Sequence, residues 1–260
     1  MLAGIPSGFY KPVIMSAAAP FTLIPPAPGA RVPLLLLCDH ASNAVPPEYG
    51  NLGLAPKLFE THIAYDIGAA IVTETLAEAY GAAALLGGVS RLLIDLNRGP
   101  DDPTLVMKLS DGSIIPGNRM ADAAEGARRL ARFHAPYHAA ISEQMARIGD
   151  AAILISMHSF TPAWKGVKRP WEMGVLYGRD ARLAVPLMRQ LKAAGFTVGD
   201  NEPYTGALEG DTLDTHGTKT GHPNVLIEIR QDFLDETEKA RAFAARLKPV
   251  LDAALKDMES

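Results

Sequence analysis

Four stretches of this chain share one form, and that form limits what the chain can fold into. VPLLLLCDH (32–40), LLIDLNR (92–98), AILISMHS (152–159) and VLIEIRQD (225–232) each run apolar for several residues and then turn ionisable. Short, continuous apolar runs suit strands covered on both faces of a sheet. Ligands of open parallel sheets bind in the crevice outside the carboxyl ends of the strands. One polar strand end is easily chance. Four of them predict that His40, Asp95, Asn97, Arg98, His158, Glu228 and Arg230 converge on one crevice.

Helical patterns separate these stretches. In PKLFETHIAYDIGAAIVTETLAEAYG (56–81), Phe59, Ile63, Ile67 and Ile71 recur every four residues and Gly81 closes a predicted helix. A second helix is predicted over about 122–149, kinked at Pro136. DARLAVPLMRQLKAAG (180–195) predicts a third, and an amphipathic run over about 235–257 the last. AAALLGG (82–88) and EMGVLYG (172–178) add two further strands. The alternation predicts one α/β domain over 31–260, a three-layer α/β/α sandwich with a mixed, largely parallel central sheet. Residues 1–30, rich in Pro and Ala, read as an extended arm, with Met15 as a candidate natural start. Residues 99–120, rich in Gly, Pro, Asp and Asn, read as a long excursion that covers a site.

Composition removes several function classes. A net charge of −4 gives no basic footprint for nucleic acid, and no apolar stretch approaches the ~20 residues of a membrane span. The single cysteine, Cys38, excludes an internal disulfide and points to a reducing compartment, with the cytoplasm as the default. A small-molecule substrate is the partner this leaves.

The strand-end residues suggest metal chemistry. Two histidines in the same setting, His40 and His158, are candidate zinc ligands, because neutral imidazole is a common ligand and catalytic zinc takes three protein ligands. Asp66, a carboxylate in an Ala-rich helical stretch, is the candidate third ligand, with Asn43 as a poorer one. Cys38 lies inside the apolar strand and is not counted. His134 and His138 imitate the i,i+4 spacing of a helical zinc site but lack the Glu of H-E-x-x-H and enclose Pro136. That pair reads as structural, with His138 able to reach a site past the kink. His62 reads as support for a neighbouring ligand, His216 as a pocket-lining residue and His222 as turn surface. Glu228 stands in a strand whose neighbours Ile227 and Ile229 face the other way, and an unpaired buried carboxylate is costly. It is either paired with Arg91 or Arg230, or a general base beside zinc. Asn97 and Arg98 offer an amide and a planar fork of donors for a substrate carboxylate. Arg91 is a second clamp or the charge partner of Asp95. Trp164 and Trp171 bracket WKGVKRPW and read as a pocket wall, with Lys165 and Arg169 as contacts. Asp39 and Ser42 read as hydrogen-bonding support for His40.

Taken in order, DHASN, THIAYDIGA, SRLLIDLNR, FHAPYH, SMHSF and IEIRQD resemble the N-formylglutamate amidohydrolase family over residues 33–255. That family is distantly similar to zinc carboxypeptidases and aspartoacylase-like deacylases. The resemblance implies a three-layer fold, with His40 and His158 as zinc ligands, Asn97–Arg98 as the carboxylate clamp and Glu228 as the base. Its distant relatives carry H-x-x-E where this chain has His40-Ala-Ser-Asn43, so Asp66 or Asn43 is left to complete the metal site. The implied reaction is hydrolysis of an N-acyl amide on an acidic amino acid, N-formyl-L-glutamate giving formate and L-glutamate. The resemblance leaves two alternatives: a deacylase of another N-acyl amino acid or peptide-like amide, and a binding protein without turnover.

Overall fold

A computed structural model describes residues 19–30 and 32–259. The candidate start at Met15 and most of the 1–30 segment lie outside the described residues. Seven strands form the central sheet: β1 (Phe21–Ile24), β2 (Leu34–Cys38), β3 (Ala83–Gly87), β4 (Ile153–Phe160), β5 (Met173–Leu176), β6 (Val198–Asp200) and β7 (Asn224–Arg230). Their order is β1-β3-β2-β4-β7-β5-β6. β3, β2, β4 and β7 run parallel, β1 is antiparallel to β3, and β5 and β6 run against β7. The expected mixed, largely parallel sheet is present, and it begins inside the 1–30 segment because β1 pairs along the edge.

Strand alternation distributes the core. Leu34 and Leu36 face one apolar cluster and Leu35 and Leu37 the other, so both faces of β2 are buried. The first face packs against α1 (Ala69–Tyr80), α4 (Ala184–Ala193) and α5 (Thr237–Met258), which contribute Val72, Leu76, Leu187, Leu191, Leu247 and Leu251. The second face packs against α3 (Ala135–Ile148), through Tyr137, Ile141 and Met145, and against the irregular chain from Val89 to Ile115. Three layers result, as the sequence predicts.

Three local expectations are corrected. The helix predicted over 56–81 is a tight turn of helix at Pro56–Glu60, then irregular chain, then α1 from Ala69. Gly68 causes the break: its φ is 77°, and a Cβ there would lie 2.4 Å from Leu234 Cβ and 2.6 Å from Leu234 O. Asp66 therefore lies in the turn before the helix. SRLLIDLNR is not a strand but a series of turns. Its Leu92 and Leu93 carbonyls accept from the Asn118 and Arg129 side chains rather than from a ladder. Leu92, Leu93, Ile94 and Leu96 are all buried, and an apolar run reads alike whether strand or coil buries it. The predicted 122–149 helix divides into α2 (Ala123–Arg129), a wide π-type turn at Leu130–His134 and α3. Pro136 has no N–H for the carbonyl of Arg132, and the chain widens there instead of stopping. β1 and β6 were not foreseen; each has only three or four residues.

Candidate active site at the strand ends

Three parallel strands and two turns bring the site together. His40 lies two residues beyond β2. His158 sits in β4 directly opposite Glu228 of β7 in the strand register. Both side chains share the sheet face of Leu154 and Leu226, while Ile227 and Ile229 point to the other core. The Asp66 N–H donates to His40 O at 2.9 Å, which ties the turn before α1 to the end of β2. Gly87 of β3 lets the Asp39–His40 corner lie against the sheet, since a Cβ there would fall 2.1 Å from Asp39 O.

His40, Asp66 and His158 form a buried cluster whose ligand atoms all lie within 4.8 Å of one another. His40 Nδ1 is 3.3 Å and His158 Nδ1 2.7 Å from Asp66 Oδ2. The far nitrogen of each ring meets a second carboxylate: His40 Nε2 lies 2.7 Å from Asp95 Oδ1, and His158 Nε2 lies 3.0 Å from Asp39 Oδ2. Each imidazole is thus held between two carboxylates. Either a proton on each ring or one cation between the two Nδ1 atoms and Asp66 satisfies this arrangement. Tetrahedral zinc ligands at ~2.0–2.2 Å stand roughly 3.4 Å apart, close to the spacing seen. A carboxylate behind each ring also sets its tautomer, as carboxylate–histidine–metal arrays require. The donor set fits a metal ion.

The charges are strongly coupled. Burial alone would raise the Asp66 carboxyl, but the His40 and His158 rings outweigh it and hold it below the usual range. Burial opposes the charge on His158 too, yet Asp39 and Asp66 raise it well above an ordinary histidine. Arg91 bridges behind the cluster, with Nη1 3.3 Å from Asp66 Oδ1 and Nη2 3.2 Å from Asp95 Oδ2. Glu228 is different. It is buried, its Oε2 has no hydrogen-bond partner, and burial with help from Asp66 pushes it up to about 7. It is paired with neither Arg91 nor Arg230.

A cavity of about 1320 Å³ opens on this cluster, and Arg91, Asn97, Arg98, His158 and Glu228 are among its walls. Asn97 Oδ1 accepts from Thr212 N at 3.1 Å, and its NH₂ has no hydrogen-bond partner among the described residues. Arg98 bonds only neutral groups, Thr104 Oγ1 and Asn97 O. Arg91 keeps its place on the wall but spends both Nη groups on Asp66 and Asp95, which makes it the partner of Asp95 after all. Arg230 is not brought to the cavity: it binds Asp232 and the carbonyls of Arg169 and Trp171. His138 is not brought there either, and bonds His216 and Leu96 O beneath the Asn97–Arg98 turn. Asn43 donates to Phe59 O at 2.8 Å and takes no part in the cluster.

The remaining candidates sort quickly. His62 is on the wall, but its Nε2 lies 3.2 Å from Asp111 Oδ2, so it supports no candidate ligand. His216 is buried behind the wall, and His222 meets Thr220 in a turn. Trp164 belongs to an exposed hairpin, and Lys165 and Arg169 lie against its ring. Arg169 also stacks on Phe160 and Tyr204, which do line the cavity. Cys38 is buried, and its thiol is pushed well up, first by burial.

Asp39 has a larger role than the sequence suggests. It supports His158 rather than His40, and its two oxygens accept from Tyr137, Thr212, Ser156 and the His158 ring. Ser156 was legible, two residues before His158 on the same strand face. Thr212 and Asp211, from the Gly/Thr-rich loop, carried no signal. Asp211 is buried at the cavity wall and pushed up to about 6, mainly by burial. Ser42 Oγ only closes a local turn with Ala44 N.

A three-layer α/β sandwich with a His-Asp-His cluster and an unpartnered buried glutamate at its strand ends has the arrangement of a hydrolytic centre. The model of the family described as N-formylglutamate amidohydrolase matches residues 32–234, and the chain belongs to that family of amide-bond hydrolases. It is 34% identical over 255 residues to an N-formylglutamate deformylase of Pseudomonas aeruginosa, covering 88% of this chain and 91% of the relative. The crystal structure of an Agrobacterium tumefaciens gene product superposes with a TM-score of 0.87 at 33% identity, over 92% of this chain and 96% of that one. An N-formylglutamate amidohydrolase from Ralstonia eutropha shares the fold, with a TM-score of 0.68 at 24% identity over 93% and 97% of the two chains. No helix among the described residues is long and apolar enough to cross a membrane.

Proposed function

We propose that this chain hydrolyses the amide of N-formyl-L-glutamate to formate and L-glutamate, with zinc held by His40, Asp66 and His158. The observation that carries the reading is Glu228, a buried carboxylate with an unpartnered oxygen directly across the register from His158. Zinc bound there would supply Lewis acidity to the formyl carbonyl and to the attacking water. Glu228 takes the proton from that water and delivers it to the departing nitrogen as the C–N bond breaks. Its high proton affinity suits both steps. Asn97 NH₂ and the Arg98 guanidinium bind a substrate carboxylate and fix the amide against the cluster. Arg91 neutralises Asp66 and Asp95, so that both rings stay oriented.

The test measures zinc by elemental analysis and formate release from N-formylglutamate, with and without chelator. Stoichiometric zinc and chelator-sensitive turnover are expected; turnover by metal-free protein rejects the zinc mechanism. Glu228→Gln is expected to lower kcat by about 10²–10⁴ with metal still bound, and parental activity would remove Glu228 as the base. One observation favours a second reading. The cavity, about 1320 Å³, exceeds the roughly 300–1,000 Å³ of ordinary ligand pockets, which suits a larger N-acyl amino acid. A panel of N-acyl amino acids scored by amine release separates the two.

A further inference from the structure

Three buried histidines outside the metal cluster remain without a task. His134 and His138 stack with ring centroids 4.0 Å apart, and His138 stacks on His216 at 5.0 Å. The wide turn at Leu130–His134 and Pro136 shape the segment that carries the first two. The bonds of this stack lead to one place. His134 Nε2 lies 2.8 Å from Arg98 O, and His138 Nε2 lies 2.9 Å from Leu96 O. A carbonyl can only accept, so both Nε2 atoms carry the proton. His138 Nδ1 is then the acceptor facing His216 Nε2 at 2.8 Å, and His216 donates. Ser142 Oγ lies 3.4 Å from His216 Nδ1 and closes the row.

The carbonyls gripped are those on either side of Asn97. Arg98 Nη1 holds the carbonyl between them, Asn97 O, at 2.8 Å. Asn97 N donates to Asp95 Oδ1 at 3.0 Å, and Thr212 N holds Asn97 Oδ1 at 3.1 Å. The backbone from Leu96 to Arg98 is irregular and has no strand ladder to fix it. Side chains fix it instead, and the histidine row supplies two of the grips. Burial keeps the row uncharged: it pushes His138 down to about 3 and His216 to about 4, and it lowers His134. Uncharged rings keep the alternation of donor and acceptor that the row needs.

We propose that His134, His138 and His216 are positioning residues for substrate binding, a stacked row that presets the Asn97–Arg98 turn through the Leu96 and Arg98 carbonyls. The inference rests on the assignment of Asn97 and Arg98 to a substrate carboxylate. Loss of a grip frees the turn, so the cost falls on substrate capture. Metal binding and the proton transfers of Glu228 are untouched, because no member of the row bonds His40, Asp66, His158 or Glu228.

The test uses the zinc-loaded full chain and N-formylglutamate. His138→Leu and His134→Leu remove one donor each and leave a buried carbonyl unpaired; each is expected to raise KM about tenfold with kcat within about twofold. Zinc content is expected to match the parent. Gln places its amide N–H near the position of imidazole Nε2, so His138→Gln should restore KM, whereas the shorter His138→Asn should not. The Gln and Asn pair stays informative if the Leu variants do not fold. A merely structural row would lower thermal stability in all variants and leave KM unmoved. Parental KM in folded His138→Asn, or a kcat loss with KM unchanged, overturns the proposal. If the parent itself releases no formate, the proposed activity has failed and the inference falls with it; a failure of the row alone shows as parental KM in variants of an active parent.

Discussion

Two histidine clusters lie on the same side of the sheet, and they are built in opposite ways. In the first, His40 and His158 are each held between two carboxylates, drawn from Asp39, Asp66 and Asp95. In the second, His134, His138 and His216 face carbonyls and one another. Burial opposes charge in both. In the first, Asp39 and Asp66 overcome it and raise His158; in the second nothing does, and the rings are lowered. What surrounds an imidazole therefore decides its chemistry: carboxylates make a site for a cation, and carbonyls make a neutral brace. The i,i+4 spacing of His134 and His138 imitates a metal motif, yet no carboxylate supports either ring by a direct bond, so the spacing alone does not make a site.

The sharpest way to break this contrast is to remove one histidine from each cluster and measure metal. His158→Ala is expected to lose bound zinc and to lower turnover by at least about 10³. His216→Ala is expected to keep stoichiometric zinc. Metal retained in the first variant, or lost in the second, would mean that the clusters have been assigned the wrong way round.

A smaller effect separates the ligand from its support. Asp39 touches no candidate metal position, but it fixes the His158 ring and accepts four hydrogen bonds. Asp39→Asn keeps the volume and removes the charge. Zinc affinity, measured by chelator competition, is expected to fall about 10–100-fold. Unchanged affinity would show that Ser156 and Asp66 orient His158 unaided.

The contrast also marks how far the sequence could be read. The layers were legible because LLLLC, ILISM and NVLIEI announce buried strands, and strand polarity placed His40, His158 and Glu228 at the carboxyl edge. Asp66 was legible as a candidate, but for the wrong local reason. The period-four apolar pattern ran straight through Gly68, whose left-handed conformation is imposed by Leu234, more than 160 residues away in the chain. LLIDLNR concealed itself similarly, since its carbonyls are satisfied by Asn118 and Arg129 rather than by a neighbouring strand. The support around Asp39 joins residues 39, 137, 156, 158 and 212, and no periodicity links such distant positions. Arg230 and His138 had suitable chemistry for the cavity, but direction decides the matter: one guanidinium turns to Asp232, and one ring turns under Leu96.

Acid stability gives the smallest and most selective measure of the second cluster. Burial lowers His138 from an ordinary histidine value near 6.5 to about 3. The unfolded chain then binds a proton between those values that the folded chain refuses. Stability rises with pH across this window, so the contribution is fully present above about pH 6.5 and is lost as pH falls towards 3. His138→Gln removes the titration while keeping the donor to Leu96 O. Its urea-unfolding free energy is expected to fall less steeply than the parent's between pH 7 and pH 4, with a difference in slope worth about 2 kcal/mol over that interval after allowing for partial exposure. Parallel curves for parent and variant would mean that His138 takes up its proton in the folded chain and that the row is not a neutral brace. A shallower curve for His138→Gln, with zinc content unchanged, would separate the two clusters by pH as well as by metal.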